Sequence, residues 1–200
     1  MKKVLFAAAV LALMMVVFSG CAGGVQRVAT DTVTDLSGRW NDTDAQLVAE
    51  KIVDDMTNGK WLKTYTKEKG REPRVIVGTI KNKTDEHIEI DTFRKDIENS
   101  LTNSGDVKFV ASKEERDEIR DERTDQQEYS SDDTKKAFKQ EKAADFMLKG
   151  TLTSISDEKG GEKAVYYQVD FELFDNATND KVWAGQKKIK KLISRSGIGF

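Results

Sequence analysis

The stretch from residue 145 to residue 174 constrains the fold most. Phe146, Leu148, Gly150 and Leu152 alternate with less apolar neighbours, and so do Val165, Tyr167, Val169, Phe171 and Leu173. Period-two alternation puts one set of side chains on a single face of a strand. Gly160-Gly161 between the two runs supplies a hairpin turn. Ile155 falls out of phase, which predicts a β-bulge. A turn at 175–180, rich in Asp and Asn, then leads to a further strand at 181–190 carrying Val182, Trp183 and Ile189.

The preceding residues supply a covering layer. Thr43 and Gln46 form a capping-box pattern. Ala45, Val48, Ala49, Ile52, Val53 and Met56 follow at helical spacing, and Asn58-Gly59 stops the helix. Trp61, Leu62 and Tyr65 are expected in a loop that packs back on the body. Pro73, the sole proline, precedes Val75-Ile76-Val77-Gly78-Thr79-Ile80, which reads as a strand buried on both faces. Phe93, Ile97 and Leu101 mark a helix over 92–103, ended by Ser104-Gly105, and 107–111 reads as a second strand. Strand, helix and strand in this order predict a right-handed βαβ unit. Ser112 and Glu115 form a second capping box ahead of a helix reaching Glu128. A last helix is expected over 132–143, burying Ala137 and Phe138, with Ala144 beyond it. The fold class is α/β (α+β): a mixed sheet of about five strands flanked by helices.

The N-terminus reads as an address. Met1-Lys2-Lys3 precedes an unbroken apolar run from Val4 to Val17, then Phe18-Ser19-Gly20-Cys21. A basic start, a short apolar core and small residues before a cut describe a signal peptide over 1–20. The run is short for a membrane span, which needs ~20 residues. Cys21, the only cysteine, directly follows the small residues. This resembles the lipobox of bacterial lipoproteins, with Phe18 where Leu is usual. The resemblance implies lipid attachment at Cys21, with the acyl chains as the membrane contact. Ala22, where Asp would signal retention, implies the outer membrane, facing the periplasm. Residues 21–40 read as a flexible tether, spanning at most roughly 70 Å extended and about 25 Å as a coil. A single domain is expected over 41–193 and a tail over 194–200.

Composition excludes several function classes. Hydrophobic residues make up 38% of the 200, and 16 of them fall within residues 1–20. Without Lys2 and Lys3 the chain has 31 basic and 35 acidic residues, which disfavours a nucleic-acid binder. One cysteine excludes an internal disulfide. His87, the one histidine, has no second histidine or free cysteine to complete a zinc or nucleophile site. It could serve as an acid–base group, but a structural loop role fits better. Asp42 and Asp44 suit helix capping better than calcium, since the Gly and Glu of an EF-hand loop do not follow. No catalytic constellation, metal site or cofactor motif emerges, so an enzyme is not expected.

The 112–128 helix is the sharpest local signal, with 12 of its 17 residues charged and Ile119 its only aliphatic one. At 100° per residue, Lys113, Arg116, Arg120 and Arg123 share one stripe and most acids lie opposite. Like charges then meet at i,i+4, as in Arg116/Arg120, at a cost of a few tenths of a kcal/mol each. A purely solvated helix would do better with mixed signs. The stripe is therefore expected to meet an acidic surface, on a partner or on the domain itself, against the simpler alternative of a solvated face. A second cationic group, Lys187, Lys188, Lys190, Lys191 and Arg195, reads as edge-strand protection, or as a contact for an anionic polymer or partner.

Several segments together carry a wider resemblance. They are Asp35-Leu-Ser-Gly-Arg-Trp-Asn-Asp-Thr-Asp44, Arg74-Val-Ile-Val-Gly78 with Thr84-Asp-Glu-His-Ile88, and Asn103-Ser-Gly105. Ala144-Asp-Phe-Met-Leu-Lys-Gly150, Tyr167-Gln-Val169 and Val182-Trp-Ala-Gly185 follow in order. Over about residues 21–193 the chain resembles the LpoB-type penicillin-binding protein activators, outer-membrane lipoproteins of Gram-negative bacteria. The resemblance implies a fold similar to the TolB N-terminal domain. It also implies activation of a bifunctional class A penicillin-binding protein, a peptidoglycan synthase, as partner. The tether is shorter than in the best-known members and lacks their proline. The alternative is a structural or secretion-associated envelope lipoprotein similar to the curli secretion lipoproteins.

Overall fold

The computed structural model describes residues 24–194. The leader at 1–20, Cys21, Ala22 and the tail at 195–200, with Arg195, lie outside the described residues. The chain divides into two units, Met1–Thr32 and Val33–Phe200. In the first, residues 24–32 are exposed, with one turn in which the Thr32 N–H donates to the Ala29 carbonyl at 3.1 Å. All that follows concerns the second.

Its elements are α1 (Asp42–Thr57), α2 (Lys60–Lys69), β1 (Arg74–Asn82), α3 (Ile90–Ser104) and β2 (Lys108–Phe109). Then come α4 (Lys113–Tyr129), β3 (Phe146–Lys159), β4 (Glu162–Asp175) and β5 (Lys181–Ser194). The strands form one sheet in the order β2-β1-β3-β4-β5. β1 runs parallel to both β2 and β3, and β4 is antiparallel to β3 and β5, so the sheet is mixed as expected. The strand–helix–strand unit is β1, α3 and β2.

The alternating residues lie where their period puts them. Leu148, Leu152, Tyr167, Val169, Phe171 and Leu173 are fully buried on one face. Val48, Ile52 and Met56 of α1 and Phe93, Ile97 and Leu101 of α3 cover that face. Gly185 lets the layers approach, since a Cβ there would lie 3.3 Å from Ile52 Cδ1 and 2.4 Å from the Trp183 ring. Aromatic rings close both ends of the core. Trp61 and Tyr65 meet Phe146 edge-on, each with centroids 5.2 Å apart, and Trp40 meets Tyr167 at 5.5 Å.

Among the described residues no helix covers the other face of the sheet, and several expectations change for that reason. Lys149 pairs with Glu172, Thr151 with Asp170 and Thr153 with Gln168 across β3 and β4 on the open side. β1 is therefore buried on one face only: Val75, Val77 and Ile80 point inward, while Ile76 is half-exposed. The bulge expected at Ile155 does not form. β3 and β4 stay in continuous register from Phe146↔Asp175 to Lys159↔Glu162, and Ile155 simply occupies the open face, 69% exposed. The register shifts fall instead between Val77 and Ile80 and between Leu173 and Phe174.

Three helical expectations are also corrected. The first capping box uses Asn41 and Asp44 rather than Thr43 and Gln46: the Asp44 N–H donates to Asn41 Oδ1 at 3.1 Å, and the Asn41 N–H donates to Asp44 Oδ2 at 3.0 Å. Trp61, Leu62 and Tyr65 lie on helix α2, not in a loop. Gly59 both follows one helix and starts the next, and Gly70 at φ 65° caps it with Lys67 and Lys69 in the last turn. Residues 132–143 form turns rather than a helix, with Lys139 at φ 61° and Phe138 53% exposed. Its apolar residues, Ala137, Phe138 and Ala143, share no helical face and so give no stripe to bury, and short helices are marginal without one. β2 covers only two of the five residues expected.

Candidate functional site

The four cations of the stripe sit on α4, which the expected Ser112/Glu115 capping box opens. The Glu115 N–H donates to Ser112 Oγ at 3.3 Å, and the Ser112 N–H to Glu115 Oε2 at 2.8 Å. No residue of α4 is buried, and Ile119 is 47% exposed. Polar contacts hold the helix instead. Lys95 of α3 reaches Glu115 at 2.6 Å, and Gln127 Nε2 donates to the Lys136 carbonyl at 2.9 Å.

The structure separates the four cations into different roles. Arg120 grips Glu141 with two donors, Nε to Oε1 at 3.0 Å and Nη2 to Oε2 at 2.9 Å. Arg123 Nη1 adds a third bond to Oε1 at 3.1 Å. Arg116 Nη1 donates to the Ala111 carbonyl at 2.6 Å, and Lys113 is exposed at the start of the helix. Arg120 and then Arg123 hold the Glu141 carboxyl down at about 2. An acidic group of the same chain thus meets part of the stripe. Glu141 was not legible as a member of this site: it lies 18 and 21 residues from the two arginines, in a segment that reads as helix.

Nearby, Asp145 leads into β3 and ties it to β1. It accepts two bonds from Arg71 at 2.8 Å and one from the Arg74 N–H at 2.7 Å. Arg71 outweighs burial and holds this carboxyl at about 2.

The second cationic group is not uniform. Lys187, Lys188 and Lys190 line the edge strand β5, but Lys191 is nearly buried, with its side chain 10% exposed. It reaches Asp44 Oδ2 at 2.6 Å, Asp35 Oδ1 at 2.5 Å and the Arg39 carbonyl at 3.0 Å. Burial works against its charge, yet the two carboxylates prevail and raise its pKa. Lys191 is thus a clasp rather than edge protection. What it clasps is the strap of residues 34–41 ahead of α1. Gly38, at φ 69°, lets the strap cross β5, where a Cβ would lie 2.3 Å from Ile193 Cγ1. The Trp40 N–H donates to Glu86 Oε2 at 3.0 Å, and Tyr167 donates to Glu86 Oε1 at 2.5 Å.

The remaining polar candidates have structural neighbours. His87 is exposed in the loop between β1 and α3. Asp175 Oδ1 accepts the Ala177 and Thr178 N–H groups at 2.7 and 3.1 Å, shaping the expected turn. Among the described residues no three His, Cys, Asp or Glu side chains gather as metal ligands would.

Helices on one face of a mixed sheet, and a charged helix held at its edge, define a two-layer α+β domain. The chain belongs to the LpoB family: the family model for the peptidoglycan-synthase activator LpoB matches residues 44–189. Among solved structures, the LpoB C-terminal domain from Escherichia coli is similar at 14% identity and a TM-score of 0.34, covering 66% of this chain and 98% of that one. Lipoprotein GNA1162 from Neisseria meningitidis is similar at 10% identity and a TM-score of 0.36, covering 63% and 89%. No curated protein matches.

Proposed function

We propose that this chain is an outer-membrane lipoprotein that binds and activates a bifunctional class A penicillin-binding protein. The match of the LpoB family model to residues 44–189 carries this reading. The leader at 1–20 directs export, Cys21 takes the acyl chains, and the residues from Ala22 to the strap form the tether into the periplasm. Stable anchoring fits more than one acyl chain, since a single chain binds a membrane only marginally. Activation is allosteric: preferential binding to the active state of the synthase shifts its population. The reaction stays with the synthase, and this chain contributes recognition.

The test adds the full chain in detergent to each class A synthase of the same cell and follows glycan polymerisation and crosslinking. Stimulation of at least one synthase is expected. Absence of both binding and stimulation for every synthase overturns the reading.

A further inference from the structure

Between α4 and the β2 edge of the sheet lies a cavity of about 300 Å³. This is the lower end of the ~300–1,000 Å³ range of ligand sites. Arg74, Lys108, Arg116, Arg123 and Lys142 stand around it with a single carboxylate, Glu141. A chain of net charge −2 thus concentrates a local excess of four positive charges at one crevice. Phe109 and Ile119 give the crevice an apolar lining. β2 is the outermost strand there, and among the described residues no further strand pairs with its outer edge. The Lys108 and Val110 N–H groups donate to β1, at Pro73 and Val75, so the alternation of a strand turns the Phe109 N–H the other way.

We propose that this crevice docks an acidic peptide segment of the partner synthase, and that Glu141 is a resident substitute which the entering carboxylate displaces. The proposal rests on the activator reading and assigns it a surface. Several features fit displacement. Glu141 belongs to the segment between α4 and β3, which has no regular secondary structure. Its ion pairs are partly exposed, and such pairs contribute little to stability. Exchanging one carboxylate for another keeps the bidentate geometry that arginine favours. The incoming segment then gains what Glu141 does not provide: apolar contact with Phe109 and Ile119, the free Phe109 N–H, and the charges of Lys108 and Lys142. An extended peptide is the occupant that uses all three. A small inorganic anion uses only the charges.

The test measures binding of a short fluorescent peptide of alternating Glu and Leu to the full chain in detergent. The same peptide with Gln in place of Glu is the control. Glu141→Gln frees the arginines, and about threefold tighter binding is expected, the size of one exposed ion pair. Lys108→Glu combined with Lys142→Glu touches neither arginine contact of α4, and binding about tenfold weaker or worse is expected. An unchanged urea midpoint shows that the variants remain folded. Equal binding of the Gln peptide, or unchanged affinity in both variants, overturns the proposal. So does inorganic phosphate that displaces the peptide as effectively as unlabelled peptide does, because the site is then a small-anion pocket. Synthase stimulation is measured on the same variants. Stimulation that survives the double lysine variant removes the crevice and leaves the activator reading standing. Peptide binding in the expected order, with no synthase stimulated by the unsubstituted chain, removes the activator reading and leaves the acidic-peptide site.

Discussion

Taking a carboxylate such as Asp44 out of water costs several kcal/mol unless a cation and hydrogen bonds meet it. Lys191 at 2.6 Å and the Asn41 N–H at 3.0 Å do so for the same oxygen, Oδ2. Lys191→Met leaves Asp44 buried and unpaired, and a loss of about 3–5 kcal/mol is expected in urea unfolding. Adding Asp44→Asn removes the orphan charge and is expected to restore part of that loss. A single variant as stable as the parent would refute the clasp. A helix-capping role for Asp44 was legible in its position at the helix start, although the spacing pointed to Thr43 and Gln46 for the box itself. The clasp was not: Lys191 sits among other lysines, and Asp35 lies 156 residues distant. Composition marks such a run as a solvated edge, and only the fold distinguishes the inward position from its neighbours.

At the scale of elements, burial decides how firmly a helix is held. α1 buries Val48, Ile52 and Met56 completely, whereas α4 has no fully buried residue and depends on its cap and a few ion pairs. Elements with few buried apolar contacts open locally at low free energy. Amide hydrogen exchange is expected to be much faster throughout α4 than in α1. Ser112→Ala, which removes the cap at a cost of about 1 kcal/mol, is expected to speed it further. Protection in α4 equal to that in α1 would count against this account. The two misread helices have opposite causes. α2 was hidden because Gly59 reads as a stop, though Trp61, Leu62 and Tyr65 share a face and Gly70 closes the helix. Residues 132–143 have helix-forming composition but no stripe to bury, and Glu141 is drawn to the arginines of α4.

For the whole molecule, the alternation along β3 and β4 revealed which face is apolar. It could not reveal that the opposite face stays open, because a strand does not record what lies above its polar side. The apolar run of β1 therefore pointed to burial on both faces, where the structure has helices on one. The asymmetry is measurable. Leu148→Ala, in the covered core, is expected to cost about 2–5 kcal/mol. Ile155→Ala, on the open face, is expected to change stability by no more than about 0.5 kcal/mol. Comparable losses at the two positions would mean that something covers the open face.

The strap and the cationic crevice sit at opposite rims of the sheet. Lys191 holds the strap on β5, while Arg74 and Lys108 of the crevice belong to β1 and β2. From β5 to β2 there are four inter-strand gaps of ~4.8 Å, or about 19 Å. Any pull arriving from upstream of Asp35 is therefore applied at one rim, and the crevice rides at the other. In the proposed tethered arrangement the sheet acts as an outrigger, setting the crevice four strand spacings away from the rim where the strap is held.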